Sequence, residues 1–154
     1  MSPRLLRWFT SHAPKNDGRK LAHRKLANGA YEYDEKELRA FDAHLWAPWP
    51  KNAKSQRPNV PEGIMTEIKR EAAGGCAFCR HLQDCEGAHI EPVSTTDCNH
   101  PHGLLWTCPN HHTAYDHRHH VHATMDSAFV RVVKRELLES QARLWRAESS
   151  LENS

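Results

Sequence analysis

Residues 76–112 read CAFCRHLQDCEGAHIEPVSTTDCNHPHGLLWTCPNHH. This stretch holds all five cysteines of the chain, and ten of the 13 histidines lie between residues 81 and 122. Two pairs of potential metal ligands frame it, a C-x-x-C at its start and a C-x-x-H near its end. Two residues between ligands allow a tight turn to aim both donor atoms at one ion, as in closed tetrahedral zinc sites. We therefore predict a structural zinc ion with four ligands: Cys76, Cys79, Cys108 and His111.

Other assignments of these side chains stay open from the sequence alone. A redox-active C-x-x-C of the thioredoxin type belongs in a βαβ setting, and the residues around Cys76 do not have that pattern. Cys85 and Cys98 have no partner at the spacing of a ligand pair, so we interpret them as buried or incidental thiols, although either can replace one of the four ligands. His112 can likewise exchange with the adjacent His111.

The motifs between and after the two ligand pairs resemble the HNH endonuclease family. They are, in order, GAHIEP at 87–92, HGLL at 102–105 and CPNHHTAYD at 108–116. The first is similar to the family variant A-H-I-x-P, and the last contains its H-x-x-x-D. The resemblance covers about residues 76–118, and it rests on three ordered motifs inside one frame of zinc ligands.

The resemblance implies an α+β fold with a small zinc-stabilised ββα-metal nuclease core, in which two short strands and a helix hold a catalytic divalent ion. That ion is Mg²⁺ or another such as Mn²⁺ or Ni²⁺. His89 matches the general base of the family, which takes a proton from the water that attacks a DNA phosphodiester. An unperturbed imidazole pKa near ~6.5 suits this role. His112 and Asp116 match ligands of the divalent ion and are one helical turn apart.

Two positions depart from the family pattern. Many members carry an Asp or His directly before the general base as a further ligand, and this chain has Ala88 there. Strand alternation puts Glu86 on the same face of the strand, so Glu86 is a candidate substitute. The middle residue of the motif corresponds either to His102, which precedes Gly-Leu-Leu, or to Asn99, and both are candidates for orienting the base or shaping the loop.

Basic charge is concentrated at the front of the chain. Residues 1–60 carry 12 Lys and Arg side chains against 6 Asp and Glu, whereas residues 61–125 carry 4 against 8. The aromatic residues Trp8, Phe9, Tyr31 and Tyr33 lie among these basic residues. Basic side chains interleaved with aromatic ones suit a phosphate backbone, and they also occur on ordinary solvated surfaces. We predict three segments: a basic N-terminal arm or docking region at 1–60 with one helix and a Pro-rich linker, the HNH nuclease core at 61–125, and 126–154 with the second strand of a hairpin and a C-terminal helix.

Hydrophobic spacing and helix-breaking residues predict the individual elements. Asp34 is the predicted N-cap of an amphipathic helix that ends at Trp46, and Pro61 opens a short helix that ends before Gly74. The remaining predicted elements are strands at 87–93 and 103–108, a helix at 109–117, a hairpin of 121–125 and 128–133, and a C-terminal helix at about 134–148.

Several classes of protein are excluded by composition. No apolar run approaches the ~20 residues needed to cross a bilayer, and the N-terminal residues have no secretory-signal pattern. We therefore expect a cytoplasmic protein, whose thiols are kept reduced and available to metal. The resemblance to the HNH family implies a metal-dependent DNA endonuclease as the expected function, and it also implies a prokaryotic or phage origin and a role in antiviral defence. The alternative is a zinc-stapled module that binds nucleic acid or docks into a complex, with weak or no catalysis.

Overall fold

The computed structural model describes residues 1–115 and 125–152 and consists of helices with two small antiparallel sheets, in agreement with the α+β class. Its elements, in chain order, are α1 (Pro3–Ser11), β1 (Arg24–Lys25), β2 (Tyr31–Glu32), α2 (Glu35–Trp46), α3 (Glu62–Glu71), β3 (Glu86–His89), α4 (Val93–Thr96), a 3-10 turn (Pro101–Gly103), β4 (Leu104–Thr107), α5 (Pro109–Tyr115) and α6 (Ser127–Glu152). No helix within these two ranges is long and apolar enough to cross a membrane.

The two N-terminal helices begin at side-chain caps. In α1, which the sequence did not predict, the hydroxyl of Ser2 accepts a hydrogen bond from the backbone N–H of Leu5 at 3.0 Å. In α2, Asp34 accepts hydrogen bonds from the backbone N–H groups of Lys36 and Glu37 at 2.8 and 3.1 Å. These bonds satisfy N–H groups that have no partner inside the helix. The predicted cap and extent of α2 are confirmed.

The N-terminal helices share a core with the middle of the chain. Phe9 of α1 and Phe41 of α2 are fully buried in one cluster with Ile64 and Ile68 of α3 and Leu104 of β4. The buried positions of α3 are Ile64, Glu67, Ile68 and Glu71, which lie on one face of the helix. Residues 1–60 therefore contribute side chains to the same apolar core as the segment that follows, while the division of the chain into three segments stays a prediction.

Strands β3 and β4 form the antiparallel pair on which the candidate site is built. Ala88 lies opposite Leu105 in this pair, and both are buried in a second cluster with Val130 and Leu137 of α6. On the other face Gly87 packs against α3, where a Cβ atom would lie only 2.7 Å from the sulfur of Met65. Each face of the sheet is thus covered by a helix, and α5 follows β4 after a single residue.

The predicted hairpin is wrong. Its second strand, residues 128–133, is part of α6, which begins at Ser127 and not at Lys134. Val130, Lys134 and Leu137 are buried at helical spacing, so the packing of this face overrides the β-branched composition of the segment. The first predicted strand, 121–125, and the predicted end of α5 at residue 117 lie almost entirely outside the described residues.

The first strand of the β3–β4 pair is shorter than predicted. The sequence predicts a strand over residues 87–93, whereas β3 covers Glu86–His89 and Val93–Thr96 is a short helix that follows Pro92. Proline fixes its own backbone and suits the position before a helical turn. Asp97 then has a left-handed φ of 46°, which ends α4 and turns the chain back towards β3.

Candidate functional site

The four predicted zinc ligands come together in the structure. One donor atom each from Cys76, Cys79, Cys108 and His111 all lie within 4.8 Å of one another. The sulfur atoms of Cys79 and Cys108 are 3.8 Å apart, and Nδ1 of His111 lies 3.6 Å from the sulfur of Cys76 and 3.3 Å from that of Cys108. The alternative ligands Cys85 and His112 are not members of this group.

These spacings fit a tetrahedral zinc ion. Zinc bonds of about 2.3 Å to sulfur and about 2.0–2.1 Å to nitrogen, at the tetrahedral angle, put two sulfurs about 3.8 Å apart and a sulfur and a nitrogen about 3.5 Å apart. The observed separations of 3.8, 3.6 and 3.3 Å are close to these values. Three thiols and one imidazole form a donor set that is typical of structural zinc.

Backbone contacts fix the first ligand pair against the sheet. After α3 the chain reverses through Gly74, whose φ is 83°, and a Cβ atom on Gly75 would lie 2.6 Å from the carbonyl oxygen of Arg80. Glycine is required at both positions for these reasons. The N–H of Ala77 then donates to the carbonyl of Trp106 in β4 at 2.9 Å, which ties the C-x-x-C turn to the strand that leads into Cys108.

The other two cysteines have local partners of their own. The Cys85 thiol donates to the carbonyl of His81 at 3.1 Å. The Cys98 thiol is buried and donates to the carbonyl of Leu45 at 3.4 Å. Burial raises the pKa of both thiols, which favours the neutral form, and their interpretation as thiols outside the zinc cluster agrees with the structure.

His89 lies at the end of a hydrogen-bonded chain that determines which of its nitrogens carries a proton. The carbonyl of Asn59 can only accept, so the atom of Asn99 at 2.9 Å from it is the amide nitrogen. The oxygen of Asn99 therefore faces His89, where it lies 2.7 Å from Nε2. Because that oxygen only accepts, Nε2 carries the hydrogen, and in the neutral ring the lone pair lies on Nδ1.

The surroundings of His89 keep its ring neutral. Burial is the main cause that lowers its pKa, since the imidazolium loses hydration there. Electrostatic effects of Arg57 and His112 lower the pKa further, whereas hydrogen bonds to the Asn99 side chain and to the backbone of Cys98 raise it. Arg57 and Asn59 belong to the Pro-rich segment, and the sequence did not identify them as site residues because nothing in the local pattern shows where this segment packs.

His112 contacts the carboxylate of Glu86. Its Nδ1 is 2.7 Å from Oε1 of Glu86, so α5 and the first residue of β3 meet beside the zinc cluster. A carboxylate only accepts, so Nδ1 donates, and in the neutral ring the lone pair lies on Nε2. Glu86 therefore holds the ring of His112 in one orientation. Asp116, the other predicted ligand of the divalent ion, lies outside the described residues.

Of the two candidates for the middle residue, Asn99 is the one that contacts His89. His102 has its Nε2 3.4 Å from the amino group of Met1 and donates its backbone N–H to Nδ1 of His100 at 3.0 Å. Burial, with nearby positive charge, lowers the pKa of His102 to about 3. His102 is therefore a neutral side chain that lines a cavity next to His89, without a hydrogen bond to it among the described residues.

His100 is a further histidine of this region that the sequence did not single out. It is fully buried, and its Nε2 is 3.0 Å from Oδ1 of Asp42. Its ring stacks on Trp46 with centroids 3.8 Å apart and planes 4° from parallel. Burial lowers its pKa to about 4, against the effect of the Asp42 carboxylate, which raises it.

Comparison of the chain with protein-family models, with curated proteins and with solved structures finds no match. The resemblance to HNH endonucleases is therefore carried by the ordered motifs alone. The structure adds two observations that bear on function. They are the Cys₃His cluster and the hydrogen bonds that His89 and His112 make with Asn99 and Glu86.

Proposed function

We propose that the protein is a metal-dependent endonuclease of the HNH type that hydrolyses DNA phosphodiester bonds. The observation that carries the proposal is the hydrogen-bonded chain from the carbonyl of Asn59 through Asn99 to His89. It gives the half-buried His89 a defined tautomer with a lone pair on Nδ1, and a second histidine, His112, has its ring held by a carboxylate. A general base needs both a fixed position and a suitable protonation state.

His89 is the proposed general base. Its lowered pKa keeps Nδ1 unprotonated at neutral pH, so the ring can take a proton from a water molecule that attacks phosphorus. Asn99 is a positioning residue in this proposal, because it reaches the reaction only through Nε2 of His89. His102, the other candidate for the middle residue, contacts the amino group of Met1 and is not given a catalytic role.

His112 is the proposed ligand of the catalytic divalent ion through Nε2. A carboxylate that accepts from the other ring nitrogen is the usual second partner of a metal-binding histidine, and Glu86 stands in that position. Glu86 is thus proposed as the residue that orients His112, and Asp116 stays a proposed ligand. When bound, an ion such as Mg²⁺, Mn²⁺ or Ni²⁺ supplies Lewis-acid stabilisation of charge on the phosphate and on the leaving oxygen.

The Cys₃His cluster has a structural role in this proposal. His111 belongs to the cluster and His112 is the next residue of α5. Filling the zinc site therefore fixes the start of α5 against β4, and with it the position of His112. Structural zinc contributes folding free energy directly, which matters in a chain whose sheets have only two strands each.

Residues 1–60 are proposed to hold the DNA backbone or a protein partner. Their excess of basic side chains favours a polyanion. We also propose that the enzyme is cytoplasmic and that it serves a prokaryotic or phage-encoded antiviral defence, a setting that follows from the family resemblance. Binding to the DNA backbone predicts a loss of affinity as salt is raised.

A plasmid-nicking assay tests the proposal. The zinc-loaded protein is incubated with supercoiled plasmid and with single-stranded DNA in Mg²⁺, Mn²⁺ or Ni²⁺, beside His89→Ala and the control His12→Ala, whose side chain is exposed and remote in sequence. We expect cleavage by the wild type and by His12→Ala and its loss in His89→Ala. Absence of cleavage with all three ions, or wild-type cleavage by His89→Ala, contradicts the proposal.

The role of Glu86 is tested by titrating the divalent ion. Glu86→Ala is expected to need about 10- to 100-fold more ion for half-maximal activity, because an unsupported histidine is a poorer ligand. Glu86→Gln keeps an oxygen that accepts from Nδ1 and should lie between this variant and the wild type. Glu139→Ala, an exposed acid of α6, is the matched control. An unchanged titration curve for Glu86→Ala contradicts the orienting role.

A second candidate function is a zinc-stapled module that binds nucleic acid without cleaving it. Ala88 stands where many HNH enzymes have a metal ligand, and its side chain is buried in the cluster with Leu105 rather than directed at His112. Tight, salt-dependent DNA binding with one zinc per chain and no turnover in any divalent ion favours this candidate.

A further inference from the structure

A cavity of about 290 Å³ opens beside the ring of His89. Its lining is mostly apolar and includes Trp46, Ile90, Cys98 and Gly103, with His102 and the paired side chains of Glu91 and Arg131 among the polar groups. This volume lies near the lower end of the range for small-ligand sites, which begins at about 300 Å³. The cavity therefore has room for a single flat ring system and not for a base pair.

Trp46 contributes an aromatic side chain to the lining of this cavity, and the ring of His100 supports it by stacking on the indole. One face of its indole lies on the ring of His100, and His100 is fixed by Asp42 on one nitrogen and by the N–H of His102 on the other. The Trp46 residue is nevertheless 49% exposed. No second aromatic ring within residues 1–115 and 125–152 stacks on it, so the indole has a surface on the cavity side that a planar group can cover.

The mostly apolar lining of the cavity suits a nucleobase better than a phosphate. A phosphate carries charge and would lose its hydration in an apolar cavity, so it suits the position outside, near His89. A nucleobase has apolar faces that stack on indole and a polar edge that can bond to Thr96, His102 or the Glu91 and Arg131 pair. The group attached through the sugar to a phosphate at His89 is within reach of the cavity beside that histidine.

We infer that this cavity binds one unpaired nucleobase of the DNA strand next to the cleaved phosphate, stacked on Trp46. The inference rests on the proposed function, since it takes His89 as the place of the phosphate. A base inside the cavity cannot remain stacked and paired in a duplex, so the site requires a single-stranded, distorted or flipped nucleotide. The protein should accordingly bind single-stranded DNA more tightly than duplex of the same length.

Fluorescence of a stacked base tests the inference without any cleavage. The zinc-loaded full-length chain is titrated, with no added divalent ion, into oligo-dT that carries one 2-aminopurine, and the oligonucleotide is checked for integrity afterwards. Trp46→Leu keeps apolar bulk and removes the aromatic plane. We expect it to abolish the quenching of 2-aminopurine and to weaken binding by about fivefold or more, whereas Trp145→Leu on α6, far along the helix from the cavity, should behave as the wild type.

A second pair of variants blocks the cavity without touching the stack of Trp46 on His100. Thr96 is exposed at the end of α4 and lines the cavity, whereas its exposed neighbour Thr95 does not. Thr96→Met should reduce quenching and affinity, and Thr95→Met should leave both unchanged. The inference is overturned if Trp46→Leu and Thr96→Met, folded and zinc-loaded, quench and bind as the wild type does, or if duplex binds as tightly as the single strand.

The two proposals fail in different ways. Cleavage of DNA by a protein whose 2-aminopurine signal does not depend on Trp46 contradicts the base site and leaves the nuclease standing. Trp46-dependent quenching in a protein that cuts no DNA with any divalent ion supports the base site and contradicts the nuclease, which then favours the binding module.

Discussion

Replacing Asn99 with alanine is expected to lower both the stability of the fold and the rate of the proposed DNA cleavage. Asn99 is fully buried, and its side chain bonds to Nε2 of His89 at 2.7 Å and to the carbonyl of Asn59 at 2.9 Å. Alanine leaves both groups without their partner, so the free energy of unfolding should fall by about 2–4 kcal/mol. General-base catalysis contributes about 10²- to 10⁴-fold, and a base that has lost its orienting partner forfeits part of it, so the single-turnover cleavage rate should fall by about 10- to 100-fold.

The pH dependence of the cleavage rate shows whether Asn99→Ala acts by losing the orientation of His89 or only by destabilising the fold. The hydrogen bond to Asn99 raises the pKa of His89, so Asn99→Ala should move the acid limb of the profile to lower pH. Asn99→Asp keeps an acceptor for Nε2–H and adds a negative charge beside the ring, which favours the imidazolium and raises its pKa. Because the base acts only when unprotonated, the acid limb of this variant should move to higher pH.

The assay is single-turnover nicking of supercoiled plasmid across the pH range in which histidine titrates. Asn110→Ala is the matched control, since Asn110 is exposed. Thermal unfolding of each variant gives the stability change, and zinc content shows that the frame is intact. Cleavage by Asn99→Ala at the wild-type rate, or a pH profile of Asn99→Asp that superimposes on that of the wild type, would contradict the proposal. In either case Asn99 does not orient His89, and catalysis does not depend on the tautomer that Asn99 fixes.

Three further predictions concern the zinc ligands, position 88 and the stability of the fold at acid pH. Cys79→Ser should lower the zinc content below one per chain and lower Tm, whereas Cys85→Ser should keep one zinc, as measured by metal analysis and thermal unfolding; equal zinc in both variants would contradict the assigned cluster. Ala88→Asp, which introduces the residue type that many HNH enzymes have before the general base, should destabilise the fold by about 3–5 kcal/mol instead of raising activity, because position 88 is only 1% exposed. Denaturant unfolding checks this beside Gln83→Asp at an exposed site, and a gain of activity at unchanged stability would oppose it. The lowered pKa of His100, about 4 in the folded chain against ~6.5 unfolded, means that the unfolded state binds more protons between these values. Its contribution to stability is therefore present above pH ~6.5 and is lost as pH falls towards about 4, so Tm should drop less over this interval in His100→Gln than in the wild type, and parallel curves would exclude His100 as a cause.

The features that the sequence predicted correctly depend on residues close together in the chain. A C-x-x-C turn, a C-x-x-H at the start of a helix and an Asp34 cap each follow from local backbone geometry. Segment 128–133 was interpreted wrongly because its partners, Ala88 and Leu105, lie far away in the chain, and only packing against them shows that Val130 belongs to a helical face.

The residues around His89 could be predicted only in part for a similar reason. His102 and Asn99 were both candidates for the middle residue in the sequence, and the left-handed turn at Asp97 is what brings Asn99 back to β3. The contribution of Asn59 depends on a contact across 40 positions of the chain. No periodicity or motif encodes a contact of that kind.

The shared core also changes how the basic N-terminal segment has to be studied. Phe9 and Phe41 are buried with Ile64 and Leu104, so a chain that lacks residues 1–60 loses part of its interior along with any docking surface. Substitution of exposed basic side chains, such as Arg4 or Lys20, keeps the interior intact and is the suitable way to examine partner or DNA binding by this segment.

The hydrogen bond between Asn59 and Asn99 is accepted by the main-chain carbonyl of Asn59, so it does not depend on the side chain at position 59. A carbonyl is the same in every amino acid, so most substitutions at position 59 should keep the bond to Asn99 and lose only the exposed bond that the Asn59 side chain accepts from Asn52. Pro58 and Pro61, which fix the path of the chain on either side, should tolerate far less exchange. In a library of variants this part of the site would be visible only as an intolerance at its two flanking prolines.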